Sequence, residues 1–264
     1  MSARRPKTQE QQVTRPGQGA FDAVADHYDY LMRAIPYGEW VDYVEALLRR
    51  HGLAASRVLD LCCGTGKVGS EMRRRGYEAF GVDLSEKMAR HCRRQQPPLP
   101  AAVMDASALG LRSGCFDLVV ALYDSLNYIL DPGQLASCFL GVSRVLKPAG
   151  VFIFDLNTAY ALAAGFFAQS NVGSGDPLEF DWRPRWDSAT RICRVEMRFC
   201  WRDGSREEVF YETHYQRAYE VEELREMLAA AGFARIHPYH AYSFRPPGRW
   251  SDRIFVLAQK EAGA

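Results

Sequence analysis

The stretch Val58–Gly69, VLDLCCGTGKVG, sets Gly64, Gly66 and Gly69 in the spacing G-x-G-x-x-G behind an apolar run. An apolar run that opens into glycines and then into a helical pattern reads as strand, tight turn and helix, a geometry that lets backbone approach a ligand closely. By itself the spacing reads as a dinucleotide-binding loop. Asp83 closes the second apolar run about 20 residues later, where that fingerprint places its ribose acid.

Working outward, short apolar runs recur as RVLDLCC, AFGVDL, AAVMD, FDLVVALY and GVFIFDL, with helical stretches between several of them. This alternation predicts parallel strands with crossover helices. Upstream, Trp40, Val44, Leu47 and Leu48 form the apolar stripe of a helix ending at Gly52. Arg73, Arg74 and Arg75 before Gly76 suit a helix C-terminus, so the basic triplet reads as a solvated helix end rather than a phosphate site. Ser85 is placed to cap EKMARHCRR.

After Leu156 the alternation stops, and Asn157 to Arg191 is rich in aromatics, Gly and Pro. Two strand-like runs follow, RICRVEMRFCW and EEVFYETHYQRAY, joined at the turn signal Asp203-Gly204. A helix over EVEELREMLAAAGF and two last strands, ARIHPYH and RIFVLAQK, complete the chain. The expected fold is α/β: a Rossmann-like, seven-stranded, mostly parallel sheet with helices on both faces. A small antiparallel insert, residues 157–217, lies between its fifth strand and last two strands. Residues 21–156 and 218–264 form the main domain with an N-terminal helical cap, and residues 1–20, with Arg4, Arg5, Lys7 and Arg15 among Gln, Gly and Pro, form a loose tail without a signal peptide's apolar core.

A chain of 264 residues with 47% hydrophobic content buries a full core in one elaborated domain. Its 33 basic and 32 acidic residues give no basic excess for nucleic acid, so a small or neutral partner is expected. Seven cysteines, with no C-x-x-C pair, read as reduced thiols of a cytoplasmic protein without structural zinc. The longest apolar run, Tyr160 to Ala168, is far short of the roughly 20 residues that span a bilayer.

Three features weigh against NAD at the glycine loop. Asp60 sits inside the end of the first strand, where a carboxylate repels a pyrophosphate but suits an ammonium or backbone donors. Asp105 follows the third strand, and VLKPAGVFIFDLN carries a Pro-Ala-Gly turn into the fifth. At these residues the chain resembles the class I S-adenosylmethionine-dependent methyltransferases: VLDLCCGTG is similar to their first motif, GVDLS to the ribose-binding acidic motif, MDAS to the adenine motif and LKPAGVFIF to the turn before their fifth strand. The four motifs span Arg57 to Leu156. YDYLM, PYGEW and YDSLNYI resemble the small-molecule branch that carries an antiparallel lid. Cys62 departs from the pattern, which has glycine there.

The resemblance implies S-adenosylmethionine as cofactor and a role for each motif residue. Gly64 and Gly66 would let the backbone pass the methionine portion, with Asp60 ordering the loop near the ammonium beside Cys62 and Cys63. Asp83 and Leu84 would take the ribose, Met88 would pack on the adenine, Asp105 and Ala106 would read its edge, and Leu122 would offer its carbonyl to the ammonium. Tyr28, Tyr37 and Trp40 would close over the cofactor. Plainer readings stand beside these: Met88 as core, the three aromatics as anchors of the first helix, and the paired cysteines as small apolar residues.

The implied reaction is in-line methyl transfer to a nitrogen or oxygen of a small molecule, for which the protein adds orientation, water exclusion and proton removal. Asp155, Asn157 and His214 are the catalytic candidates, and Asp124, Asn127, Tyr128 and Arg217 the acceptor-binding ones, with Ser125 beside them. On the second insert strand, alternation sets Glu208, Phe210, Glu212, His214 and Gln216 on one face and Val209, Tyr211, Thr213, Tyr215 and Arg217 on the other. Two other readings remain open at this point, a cofactor-binding regulatory module without turnover and an NAD-dependent oxidoreductase.

Overall fold

The computed structural model describes residues 20–262. The chain enters through a short helix α1 (Tyr28–Leu31) and α2 (Tyr37–Arg50), then alternates β1 (Arg57–Leu61), α3 (Lys67–Arg74), β2 (Glu78–Asp83), α4 (Glu86–His91), β3 (Ala101–Val103), β4 (Phe116–Ala121), α5 (Pro132–Val145) and β5 (Leu146–Asn157). It continues through α6 (Ala159–Ala163), β6 (Gln169–Ser170), β7 (Leu178–Asp187), β8 (Ile192–Asp203) and β9 (Arg206–Arg217), and closes with α7 (Val221–Ala230), β10 (Phe233–His240) and β11 (Arg253–Lys260).

The expected seven-stranded sheet forms in the order β10-β11-β5-β4-β1-β2-β3, with β11 antiparallel to both of its neighbours. Strand order reverses between β1 and β4, and the crevice beyond their carboxyl ends is where such sheets bind ligands. The parallel strands are apolar on both faces because helices cover both. Leu59, Val119 and Phe152 point into one core with α5 and α7, while Val58, Val120 and Ile153 point into another with α2.

Local signals act as expected at the helix ends. The Ser85 hydroxyl accepts from Met88 N at 3.3 Å, and Gly76 takes φ 95° after α3. The arginine triplet differs in one respect: Arg75 is drawn out of solvent and paired with Asp42, Glu45 and Glu71, pinning α3 to α2.

The insert forms a separate antiparallel sheet in the order β6-β7-β8-β9. The β8–β9 hairpin turns on Gly204 and Ser205, one residue beyond the expected dipeptide, since Asp203 pairs with Arg206. β6 and β7 were not among the expected strands, although Leu178, Phe180, Trp182 and Trp186 do alternate with charged residues. Pro184 masks that period; it is tolerated because β6 pairs with β7 only at Asp181 and Trp182, leaving an edge beyond. Val24, Tyr28 and Leu31 pack into the core of this sheet, so the N-terminal segment expected to cap the main domain spans both sheets. Of the expected tail, residues 1–19 lie outside the described residues.

Candidate active site

The first cavity, about 430 Å³, opens at the ends of β1, β2 and β4. Its floor is the turn after β1. Cys62 takes φ 58°, a left-handed conformation that glycine holds more easily, so the departure from the glycine pattern keeps the turn's path at the cost of strain. Gly64 takes φ 53°, and a Cβ built there meets no protein atom within 4 Å, so open space lies against this backbone.

Gly66 is a correction. It does not line the cavity; its φ of 85° and a Cβ position 2.9 Å from Cys92 Sγ show that it is needed for packing of α3. Gly69 likewise lets Leu99 and the Asp60 carboxylate approach.

Asp60 is 2% exposed and accepts from Gly69 N at 2.8 Å. Burial pushes its carboxyl up to about 7; the Gly69 N–H opposes the rise and the Asp83 charge adds to it. Asp83, at the end of β2, accepts from Gly64 N at 2.7 Å through one oxygen and from Ser85 N at 2.9 Å through the other. Burial raises its pKa against the lowering by those two N–H groups. Each oxygen keeps a lone pair for a hydroxyl, in the fork that a vicinal diol requires.

Leu84, Met88, Asp105 and Ala106 line the same cavity, as do Tyr28, Tyr37 and Trp40. Asp105 is held by Ser107 N and Oγ, both at 2.7 Å to one oxygen, which leaves the other free. Leu122 also lines the cavity, and its carbonyl accepts from Ser125 Oγ at 2.8 Å, so only a second lone pair remains for a ligand. Burial raises the Cys62 thiol well above its usual range; for Cys63 a contact with Cys92 does so, helped by burial. Both stay protonated near neutral pH and act as wall.

A second cavity, about 310 Å³, lies between the first and the four-stranded sheet. The two share Phe21, Tyr28, Tyr123 and Tyr128 as a common wall. Trp182, Phe180, Phe199, Phe166 and Phe167 form its far side, and Asp124, Asn157, His214 and Arg253 its polar part.

Of the acceptor-site candidates, Asp124, Tyr128, Asn157 and His214 are brought to this cavity, whereas Asp155, Asn127 and Arg217 are not. Asp155 is fully committed: it accepts from Tyr123 N at 2.6 Å and Asp124 N at 3.1 Å, and pairs with Arg253 Nη1. It thereby holds Tyr123 and Asp124 at φ 67° and 51°, two left-handed residues in succession that cost about 1–2 kcal/mol each. Asn127, fully buried, is a clasp, donating to the carbonyls of Asn157 and Arg217 while accepting from Asn157 N. Arg217 lies on the opposite face of β9 from His214, as alternation requires, with its guanidinium 5.5 Å from the Tyr219 ring.

Arg253 had no sequence signal, because its partners lie about a hundred residues away. It donates to Asp124 at 2.8 Å as well as to Asp155. Burial works against its charge, but those two carboxylates hold its pKa above the usual value. His214 is 1% exposed and both ring nitrogens are engaged, Nδ1 with Tyr128 Oη at 3.0 Å and Nε2 with Glu212 Oε2 at 2.6 Å.

The site is thus a nucleoside-sized cavity with a forked carboxylate, joined to an aromatic chamber under a lid, on a seven-stranded sheet: the architecture of a methyltransferase. A family model described as "Methyltransferase domain" matches residues 58–150. The Bacillus subtilis (strain 168) protein named "Putative methyltransferase YqeM" is 33% identical over 244 residues, covering 91% of this chain and 97% of its own. An S-adenosylmethionine-dependent methyltransferase from Clostridium acetobutylicum ATCC 824 superposes with a TM-score of 0.79 at 29% identity, covering 92% of this chain and 99% of that one. The dTDP-3-amino-3,4,6-trideoxy-alpha-D-glucopyranose N,N-dimethyltransferase of Streptomyces venezuelae is 29% identical over 134 residues, 50% of this chain and 56% of its own. The chain belongs to the class I S-adenosylmethionine-dependent methyltransferases.

The first cavity's residues fit that cofactor. Asp83 suits the ribose hydroxyls, the Met88 and Asp105 side the adenine, and Asp60 with the open backbone at Gly64 the amino acid end. When bound, the cofactor supplies an electrophilic methyl group on a sulfonium. An NAD-dependent oxidoreductase and a regulatory module without turnover are set aside. No helix among the described residues is long and apolar enough to cross a membrane.

Proposed function

We propose that the protein methylates a nitrogen or oxygen of a small-molecule acceptor held in the aromatic chamber. The observation that supports this reading is the wall shared by the two cavities, which sets a chamber able to take an acceptor beside the cavity whose residues fit the cofactor. The chamber is walled by side chains under a four-stranded lid, which suits a compact molecule with apolar surface. Asp124 and Asp155 both pair with the guanidinium of Arg253, so among the described residues the polar end offers no unpaired cation to an anionic acceptor. That favours a neutral or cationic acceptor over an anionic one, in keeping with the amino-sugar relative.

Methyl-labelled cofactor incubated with a metabolite extract tests the reading. A labelled small molecule is expected from the wild-type protein. Ala161→Leu or Met197→Trp, which fill the chamber, are expected to abolish labelling while S-adenosylhomocysteine affinity stays within about threefold. Labelling that survives both fillings places the acceptor elsewhere.

A further inference from the structure

Glu212 is the unexplained residue of the lid. It is a buried carboxylate on a strand of a sheet with its own apolar core, and among the described residues no lysine or arginine pairs with it. Its partners are instead three backbone N–H groups of the N-terminal segment, Phe21 at 3.1 Å, Ala23 at 2.7 Å and Val24 at 3.1 Å, together with His214 Nε2 at 2.6 Å. A carboxylate only accepts, so the imidazole carries its proton on Nε2 and presents the Nδ1 lone pair to the Tyr128 hydroxyl. The phenol donates inward to His214, the Gln216 amide is placed to donate to one of its oxygen lone pairs, and the other is left for the shared wall of the two cavities.

Resting on the acceptor reading above, we propose that Tyr128 is the catalytic group that takes the acceptor's proton, with His214 and Glu212 behind it as a relay assembled by the N-terminal segment. The acceptor N–H or O–H gives its proton to the phenol oxygen as the phenol's own proton crosses to His214 Nδ1. The imidazolium formed lies against the Glu212 carboxylate. The lone pair left on the acceptor displaces the thioether from the methyl group, and the electrons of the broken carbon–sulfur bond stay on sulfur. A phenol alone is a weak base at neutral pH; an imidazole behind it supplies the basicity. The other titratable groups facing the phenol are Asp124, Tyr123 and Tyr28, with Arg253 beyond Asp124.

The same segment reaches the cofactor side. The Ser85 hydroxyl donates to Asp22 Oδ1 at 2.7 Å and Lys87 Nζ to the Asp22 carbonyl at 2.9 Å, two and four residues past Asp83. The Phe21 ring packs 4.4 Å from His214 and 5.3 Å from Tyr128. Residues 20–24 therefore hold the Glu212 end of the base while Ala20, Phe21 and Asp22 line the cofactor cavity.

The test uses the full chain saturated with S-adenosylhomocysteine and labelled with ¹⁵N-histidine. Long-range proton–nitrogen correlation is expected to show His214 at neutral pH as the Nε2–H tautomer, shifted at Nδ1 alone by Tyr128→Phe. An Nδ1–H tautomer, or an Nδ1 signal indifferent to Tyr128→Phe, overturns the relay. Glu212→Gln, whose amide can donate, is expected to give a mixture of tautomers, and a wild-type tautomer in that variant overturns the relay; where it fails to fold, the comparison of wild type with Tyr128→Phe decides. With the acceptor found by the labelling screen, Tyr128→Phe is expected to lower kcat at least 100-fold with KM within threefold, and His214→Asn to remove the acid limb of the kcat–pH profile. Normal kcat in Tyr128→Phe overturns the proposal without touching the acceptor reading, whereas labelling that survives chamber filling defeats that reading.

Discussion

The two cavities are built in different ways. The cofactor cavity draws its turn and its carboxylates from one run of chain, Asp60 to Ala106, and holds them with backbone N–H groups at Gly64, Gly69 and Ser85. The acceptor chamber draws on residues from Phe21 to Arg253, joined by side chains that meet across about a hundred residues. Backbone-held geometry tolerates change around it, which suits a fixed cofactor. A site made of side chains on a lid is changed by single substitutions, which suits an acceptor that varies between relatives.

The contrast is broken most severely at Arg253. Arg253→Met leaves Asp124 and Asp155 facing one another without a cation, and an uncompensated buried charge costs about 3–5 kcal/mol. Urea denaturation is expected to show a loss of that order, with the turn at Tyr123 and Asp124 released; a loss below about 1 kcal/mol refutes the buried network as an anchor. A smaller effect, about 100-fold in turnover, is expected from His214→Ala, within the usual range for proton transfer. S-adenosylhomocysteine affinity is expected to stay put, because His214 lines only the acceptor chamber. A matching loss of cofactor affinity merges the two sites into one.

The mildest test concerns Asp60. Its carboxyl rises from 3.8 unfolded to about 7 folded, so the folded state holds the proton more tightly across that interval. The stability this gives is complete below about pH 4 and is lost as pH rises through about 7. Thermal unfolding of the cofactor-free protein from pH 4.5 to 8 is expected to decline less steeply in Asp60→Asn than in wild type. Equal slopes contradict a protonated Asp60.

The same contrast explains what could be read in advance. The strand–glycine–helix turn, Asp60, Asp83 and Asp105 are local features whose spacing survives folding, so the sheet and the first cavity were legible. Gly66 was misassigned because spacing does not tell a glycine that faces ligand from one that faces Cys92. Asn127 lies beyond the end of β4 as expected, but Asp155 sits inside β5 rather than after it, and both groups turn inward to hold neighbouring loops, which only the Arg253 and Asn157 contacts reveal. β7 carried a period of two that Pro184 obscured. Glu212 lay on the named face of β9, but nothing local marks the N–H groups of residues 21–24 as its partners.

Calorimetric titration of S-adenosylhomocysteine into wild type, Asp83→Ala and His214→Ala tests the division of labour most directly. Removing Asp83 takes away charge-assisted hydrogen bonds and is expected to weaken binding by about 10- to 100-fold, while His214→Ala binds as wild type does. Wild-type affinity in Asp83→Ala, or a comparable loss in His214→Ala, contradicts a cofactor site held by the β1–β2 end of the sheet and an acceptor site held by the lid.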